Sequence, residues 1–185
     1  MLRAHSTVRR TLVAGVVSIG LALGAGGLVT HGAQDEAPDG VVNYTRIDAT
    51  VACAGATPAE AMPALKRLGF ASVINFRTAG EEGANIEASR MAATQAGLQY
   101  IHIPFSAPNA EVTEEFLEAI ADTANQPAYI HCASANRVGA MWFIKRVKQD
   151  GWDTDRAMAE AETIGLRSER LKAFAVGYVT VAETR

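Results

Sequence analysis

The sequence predicts an α/β sandwich built on a mainly parallel sheet. Short β-branched or alternating segments alternate with capped, amphipathic helices from residue 46 to residue 150, helices alone finish the chain, and no repeat or low-complexity segment interrupts that order. Composition agrees: 185 residues, 49% hydrophobic and 20% charged, fit one globular domain and exclude a disordered chain. A net charge of -3 gives no electrostatic footprint for nucleic acid. The 2 cysteines supply neither a disulfide framework nor closely spaced zinc ligands, so no metal and no cofactor is expected.

Residues 1–33 stand apart. Arg3, Arg9 and Arg10 precede an uncharged stretch from Thr11 to Thr30 rich in Val, Ala, Leu, Ile and Gly, the layout of a secretory signal, with Arg9-Arg10 faintly resembling a twin-arginine start. Cleavage after Ala33 is the expectation, although His31 makes the small-x-small pattern imperfect. The alternative is an uncleaved anchor through residues 11–30, because ~20 apolar residues can span a bilayer. The expected location is periplasmic or secreted, or the inner membrane if the anchor is kept. Loss of the three arginines takes the net charge from -3 to -6, so the exported domain is acidic. Residues 34–44, with Asp35, Glu36, Pro38 and Gly40, read as a polar linker before a folded domain at 45–185.

Within that domain, Ile47, Ala49, Val51 and Cys53 alternate with Arg46, Asp48, Thr50 and Ala52 as in a strand with one buried face. Thr57-Pro58-Ala59-Glu60 reads as an N-cap, a first-position proline and a capping-box glutamate, opening a helix that carries Met62, Leu65 and Leu68 and stops at Gly69. Residues 71–76 are a second strand, 86–95 a helix ending at Gly97, and 98–104 a third strand. Thr113 is expected to cap a helix with Phe116, Leu117 and Ile120 inward. Residues 128–132 form a short strand that runs into Ala133-Ser134-Ala135-Asn136-Arg137 and then a helix. Asp153 and Ser168 cap two closing helices separated at Gly165.

The strand–loop–helix around Cys132 carries the chemistry. A cysteine at the carboxyl end of a strand, followed by small and polar residues and a helix, lies where open α/β sheets bind ligands. Successive N–H groups of such a loop surround an oxyanion, and the helix dipole adds positive potential. The same field favours a thiolate, making Cys132 a candidate nucleophile, and Arg137 offers a planar fork to two phosphate oxygens. Ala133, Ser134, Ala135 and Asn136 form the candidate cradle, and His131 is read as a buried hydrogen-bonding support for the thiolate. The competing reading is a structural cysteine and an arginine on a first helical turn.

His131-Cys132 to Arg137, with the strands Val73-Ile74-Asn75-Phe76-Arg77 and Tyr100-Ile101-His102-Ile103-Pro104, resembles the dual-specificity-type cysteine phosphatases. The nearest resemblance is to the bacterial phosphatase-like domain of beta-lactamase-hydrolase-like proteins, over residues 45–165. It implies a three-layer cysteine-phosphatase sandwich, a phosphocysteine intermediate on Cys132, phosphate binding by Arg137, and a phosphorylated small molecule or protein as substrate. The sequence departs from the usual phosphatase pattern in three ways. Four residues separate Cys132 from Arg137 where such enzymes usually have five, a length shared with rhodanese-like sulfurtransferases. Val138 and Ala135 replace a hydroxyl residue and a loop glycine. The segment from Phe105 to Val112 has no aspartate to serve as general acid, leaving Glu111 as the candidate there.

Arg77, Glu81 and Glu82 follow the second strand and either rim the cleft or form a solvated loop. Three functions therefore compete: a phosphate-monoester hydrolase, a sulfurtransferase carrying a Cys132 persulfide, and a non-catalytic anion- or protein-binding module. A reversible Cys53–Cys132 disulfide would protect an exported thiolate, against the simpler expectation of an unpaired Cys53 packed as a small hydrophobe.

Overall fold

The computed structural model describes residues 36–183, so the expected signal or anchor at 1–33 lies outside the described residues. Strands Thr45–Arg46 (β1), Val51–Ala54 (β2), Ser72–Asn75 (β3), Gln99–His102 (β4) and Ala128–His131 (β5) make one sheet in the order β1-β2-β5-β3-β4. β1 is antiparallel to β2, and all other pairs are parallel. Helices Met62–Arg67 (α1) and Ile86–Gln95 (α2) contribute to one apolar layer with Ala52, Ala54, Val73 and Tyr129 of the sheet. Helices Ala110–Ala121 (α3), Asn136–Lys148 (α4), Thr154–Ile164 (α5) and Glu169–Glu183 (α6) pack on the other face, against Val51, Cys53, Ile74 and Ile130. Strand side chains alternate between faces, which makes the three layers.

Four local expectations are corrected. The alternating stretch 46–53 is a hairpin rather than one strand: Asp48 Oδ1 accepts from the Thr50 N–H and hydroxyl, both at 2.7 Å, and turns the chain between β1 and β2. Thr57 does not cap a helix. Its hydroxyl donates to Gly55 O (3.1 Å) and meets Tyr129 Oη at 2.6 Å, so α1 begins after a 3-10 turn at Ala59–Ala61. The cap of α3 is Asn109, whose Oδ1 accepts from Val112 N at 3.0 Å, while the Thr113 hydroxyl donates back to Asn109 O. The expected linker is already folded by Pro38, with Val42 exchanging backbone bonds with Gly55 and Ala56 (2.7 and 2.9 Å). Asp153 and Ser168 cap α5 and α6 through Arg156 N and Leu171 N.

The connectivity creates one crevice. The chain leaves β2 and β3 toward the α1/α2 layer, whereas it leaves β5, which lies between them, toward the α3–α6 layer. Loops at the carboxyl ends of these neighbours therefore diverge, and the loop after β5 sits in the gap.

Candidate active site

Cys132 follows β5 directly and is 1% exposed, with its N–H donating to Ala54 O at 3.3 Å. The backbone then curls through Ala133 to Ala135 into α4. Ala135 is in the left-handed region (φ 65°) and fully buried. Among the described residues, the N–H groups of Ala133, Ser134, Ala135, Asn136 and Arg137 donate to no protein acceptor. Five consecutive unpaired donors above the amino end of a 13-residue helix form a ready oxyanion cradle.

The outside of this loop is tied down residue by residue. Ala133 O accepts from Ala56 N (2.9 Å) and Ser134 O from Asn43 Nδ2 (3.3 Å). Asn136 Oδ1 accepts from the N–H groups of Arg167 and Ser168 at 2.7 and 2.9 Å, joining the loop to the α5–α6 turn. That turn comes so close that a Cβ on Gly165 would lie 2.9 Å from the Cβ of Ala135. The missing loop glycine is thus matched by a glycine across the contact.

Arg137 is anchored by the other two strand ends. Its Nη1 donates to Phe76 O (3.0 Å), Phe105 O (2.6 Å) and Glu81 Oε1 (2.8 Å), and its Nη2 to Glu81 Oε2 (2.7 Å). Nη1 is saturated, leaving Nε and the second Nη2 hydrogen to grip an anion. Burial opposes the charge, but Glu81 and the nearby Cys132 sulfur raise the Arg137 pKa. Glu81 is likewise penalised by burial, yet hydrogen bonds from Arg137 and Thr78 N hold its carboxyl at about 2. Arg77, buried beneath, donates to Glu81 Oε2 (3.4 Å), Gly83 O (3.1 Å) and Glu82 O, shaping the loop that presents Glu81. Glu81 is therefore an ionised positioning residue, not a proton donor, and Glu82 contributes its backbone. The sequence leaves these residues either at the rim of the cleft or in a solvated loop and does not show the pairing to Arg137, because the bond spans 56 positions.

His131 is buried, as expected. Alternation along β5 turns it to the face opposite Cys132, where its ring lies 5.9 Å from that of Tyr129 and beside the backbone of Cys132 and Gly55, although among the described residues neither nitrogen makes a hydrogen bond of good geometry. Burial, reinforced by the Arg77 charge, depresses its pKa to about 3, so it is neutral and brings no positive charge to the cysteine. Glu111 occupies the exposed first turn of α3, where it suits the helix dipole; no hydrogen bond or ion pair joins it to the loop among the described residues. Cys53 and Cys132 are both free and buried. Cys53 pairs in register with Ile130, two positions short of Cys132, and burial, then the Glu160 charge, push its thiol well up. Among the described residues no group of His, Cys, Asp and Glu is arranged to hold a metal, and no helix is long and apolar enough to cross a membrane.

Residues 43–149 match the family profile of the beta-lactamase hydrolase-like protein, phosphatase-like domain. The chain belongs to this family. By family it is a phosphatase-like hydrolase with its cysteine in the loop after β5. A search of curated proteins returned no match. Among solved structures, a DUF442 protein from Shewanella putrefaciens CN-32 superposes with a TM-score of 0.65 at 20% identity, covering 77% of this chain and 92% of that one. P. aeruginosa TpbA superposes at 0.61 with 21% identity over 78% and 92% of the two chains. The catalytic core of the PP-IP phosphatase SIW14 from S. cerevisiae gives 0.59 and 19% over 72% and 83%. These likenesses establish the cysteine-phosphatase fold.

Proposed function

We propose that the domain hydrolyses phosphate monoesters through a phosphocysteine on Cys132. The observation that carries this reading is the row of five unpaired N–H groups at residues 133–137, closed on one side by an Arg137 whose free edge is aimed by Glu81. The phosphoryl oxygens take those donors. The Cys132 thiolate attacks phosphorus as the bond to the ester oxygen breaks, and the leaving oxygen keeps the bonding pair. Water then attacks phosphorus, forming an O–P bond as the S–P bond breaks, giving inorganic phosphate and returning the electron pair to sulfur. With Glu81 ionised and no acid in residues 103–109, the leaving group takes its proton from water, which favours aryl over alkyl phosphates. A TpbA structure with bound phosphotyrosine, at 22% identity, supports a phosphorylated substrate of that kind. The basic and apolar residues at 1–33 support export, with cleavage or anchoring to be separated by an N-terminal sequence read.

The sulfurtransferase alternative draws on the four-residue loop, whose size also suits a persulfide. One experiment separates the two: incubation with a labelled aryl phosphate and, in parallel, with thiosulfate and cyanide. Label trapped on Cys132 with phosphate release is expected. Thiocyanate formation without phosphate release would overturn the proposal, and inactivity in both arms would leave a binding module.

A further inference from the structure

A polar groove of about 500 Å³ runs along the outside of the phosphate loop, lined by Asn43 to Thr45, by Ser134 and Asn136, and by Thr163 to Gly165 with Arg167. Arg167 is the one charged residue in that lining. Its position is fixed at both ends. Its backbone N–H is held by Asn136 Oδ1 at 2.7 Å, one residue from Arg137, and its Nη1 donates to Leu166 O (2.9 Å) and to Glu162 O.

Its charge is met only in part, by the carbonyl end of α5 under Nη1 and by the field of Glu162. Among the described residues no carboxylate forms an ion pair with Arg167, and the adjacent Glu162 is taken by Lys172 Nζ at 2.8 Å. By contrast, Arg137 and Arg146 are each paired with a glutamate at 2.7 Å. An exposed guanidinium held in place by backbone carbonyls, with no carboxylate within ion-pair distance among the described residues, stands in a largely polar wall where it can meet an anion. Nε and Nη2 remain free to form the two-pronged contact that phosphate accepts.

We propose that this groove binds a second phosphate of the substrate through Arg167, so that the preferred substrates are bisphosphorylated small molecules rather than simple monoesters. This rests on the phosphatase reading of the Cys132 loop. The loop takes the phosphate to be cleaved, and Arg167 selects molecules whose second phosphate reaches past Ser134 and Asn136.

The test is calorimetric binding to the full chain carrying Cys132→Ser, with a series of α,ω-alkanediol bisphosphates and the matching monophosphates. A bisphosphate of one favoured length should bind about tenfold more tightly than its monophosphate. Arg167→Gln should erase that gain, with Arg167→Lys retaining part of it and monophosphate affinity unchanged in both. Equal binding of bisphosphates and monophosphates at every length, or a gain that survives Arg167→Gln, would overturn the subsite alone. Failure of monophosphates to bind at all would remove the phosphatase reading and the subsite with it.

Discussion

Two loops meet at Arg137 and are built in opposite ways. The loop after β5 is held at Ala133, Ser134 and Asn136 by hydrogen bonds and at Ala135 by the Gly165 contact, and among the described residues its N–H groups are unpaired. The loop after β4 supplies Phe105 O at 2.6 Å and a ring 5.8 Å from the guanidinium, and carries no acidic side chain through residues 103–109. The anion-binding half of the site is thus preorganised, while the half that would deliver a proton is bare. Binding and cleavage of a good leaving group should therefore be separable from cleavage of a poor one.

The largest effects come from breaking the preorganised half. Cys132→Ser should reduce aryl-phosphate turnover to background while leaving the fold intact, because serine keeps the size and loses the polarisable thiolate. Arg137→Lys should lower kcat/KM by roughly 10²–10³, since a point charge cannot span Glu81 and a phosphate together. Near-normal steady-state kinetics in either variant would show that the cradle is not the site of catalysis.

The bare half sharpens the comparison. With no carboxylate in residues 103–109 and Glu111 exposed on the first turn of α3, para-nitrophenyl phosphate should be turned over about 10²–10⁴ times faster than an alkyl phosphate such as O-phosphoserine. A steep dependence of kcat on leaving-group pKa would confirm it. Equal rates on aryl and alkyl esters would mean that some side chain reaches the leaving oxygen.

Much of this contrast was readable from local sequence. Cys132 at a strand end, Arg137 on the next turn, and the lack of aspartate between Phe105 and Val112 lie in contiguous residues, and strand–loop–helix periodicity places them. What escaped were relations across the chain. Asn43 on Ser134 O spans 91 residues and Glu81 on Arg137 spans 56, and neither leaves a local pattern. The hairpin at residues 46–53 is hidden because alternation continues through its turn, and the capping pattern at Thr57 fails because Tyr129, 72 residues away, engages its hydroxyl. The burial of His131 is legible, whereas its place on the sheet face opposite Cys132 follows from strand alternation.

That opposite face gives a pH prediction. His131 is buried neutral with its pKa depressed to about 3, while an unfolded histidine titrates near 6.5. Its contribution is fully present above pH 6.5 and is lost as pH falls toward 3, because protons then bind the unfolded chain and not the native one. Unfolding free energy should drop by about 1.4 kcal/mol per pH unit in that window. Glu81 adds its own loss only below about pH 4.5, as pH approaches 2. Urea titrations at pH 7.5, 6.0 and 5.0 should show the slope in the native sequence and not in His131→Gln. An unchanged slope in that variant would place the titrating group elsewhere.

The smallest effect concerns how the rigid loop tolerates Ala135. An alanine at φ 65° costs about 1–2 kcal/mol relative to the right-handed region, but Ala135→Gly restores freedom to the unfolded chain and deletes a buried methyl, worth about 0.5–1 and 0.8 kcal/mol. The terms nearly cancel, so the single variant should change stability by less than about 1 kcal/mol. Gly165→Ala should cost more, because its new Cβ would lie 2.9 Å from that of Ala135 and its φ of 139° disfavours any side chain. Removing the Ala135 methyl relieves the contact and not the backbone strain, so the double variant should be more stable than the sum of its parts. The coupling expected between touching residues is about 0.5–3 kcal/mol. Additive changes in the denaturation midpoints would show that the Ala135–Gly165 contact does not couple the α5–α6 turn to the phosphate loop, and the tight loop would then owe its shape to the hydrogen bonds at Ala133, Ser134 and Asn136.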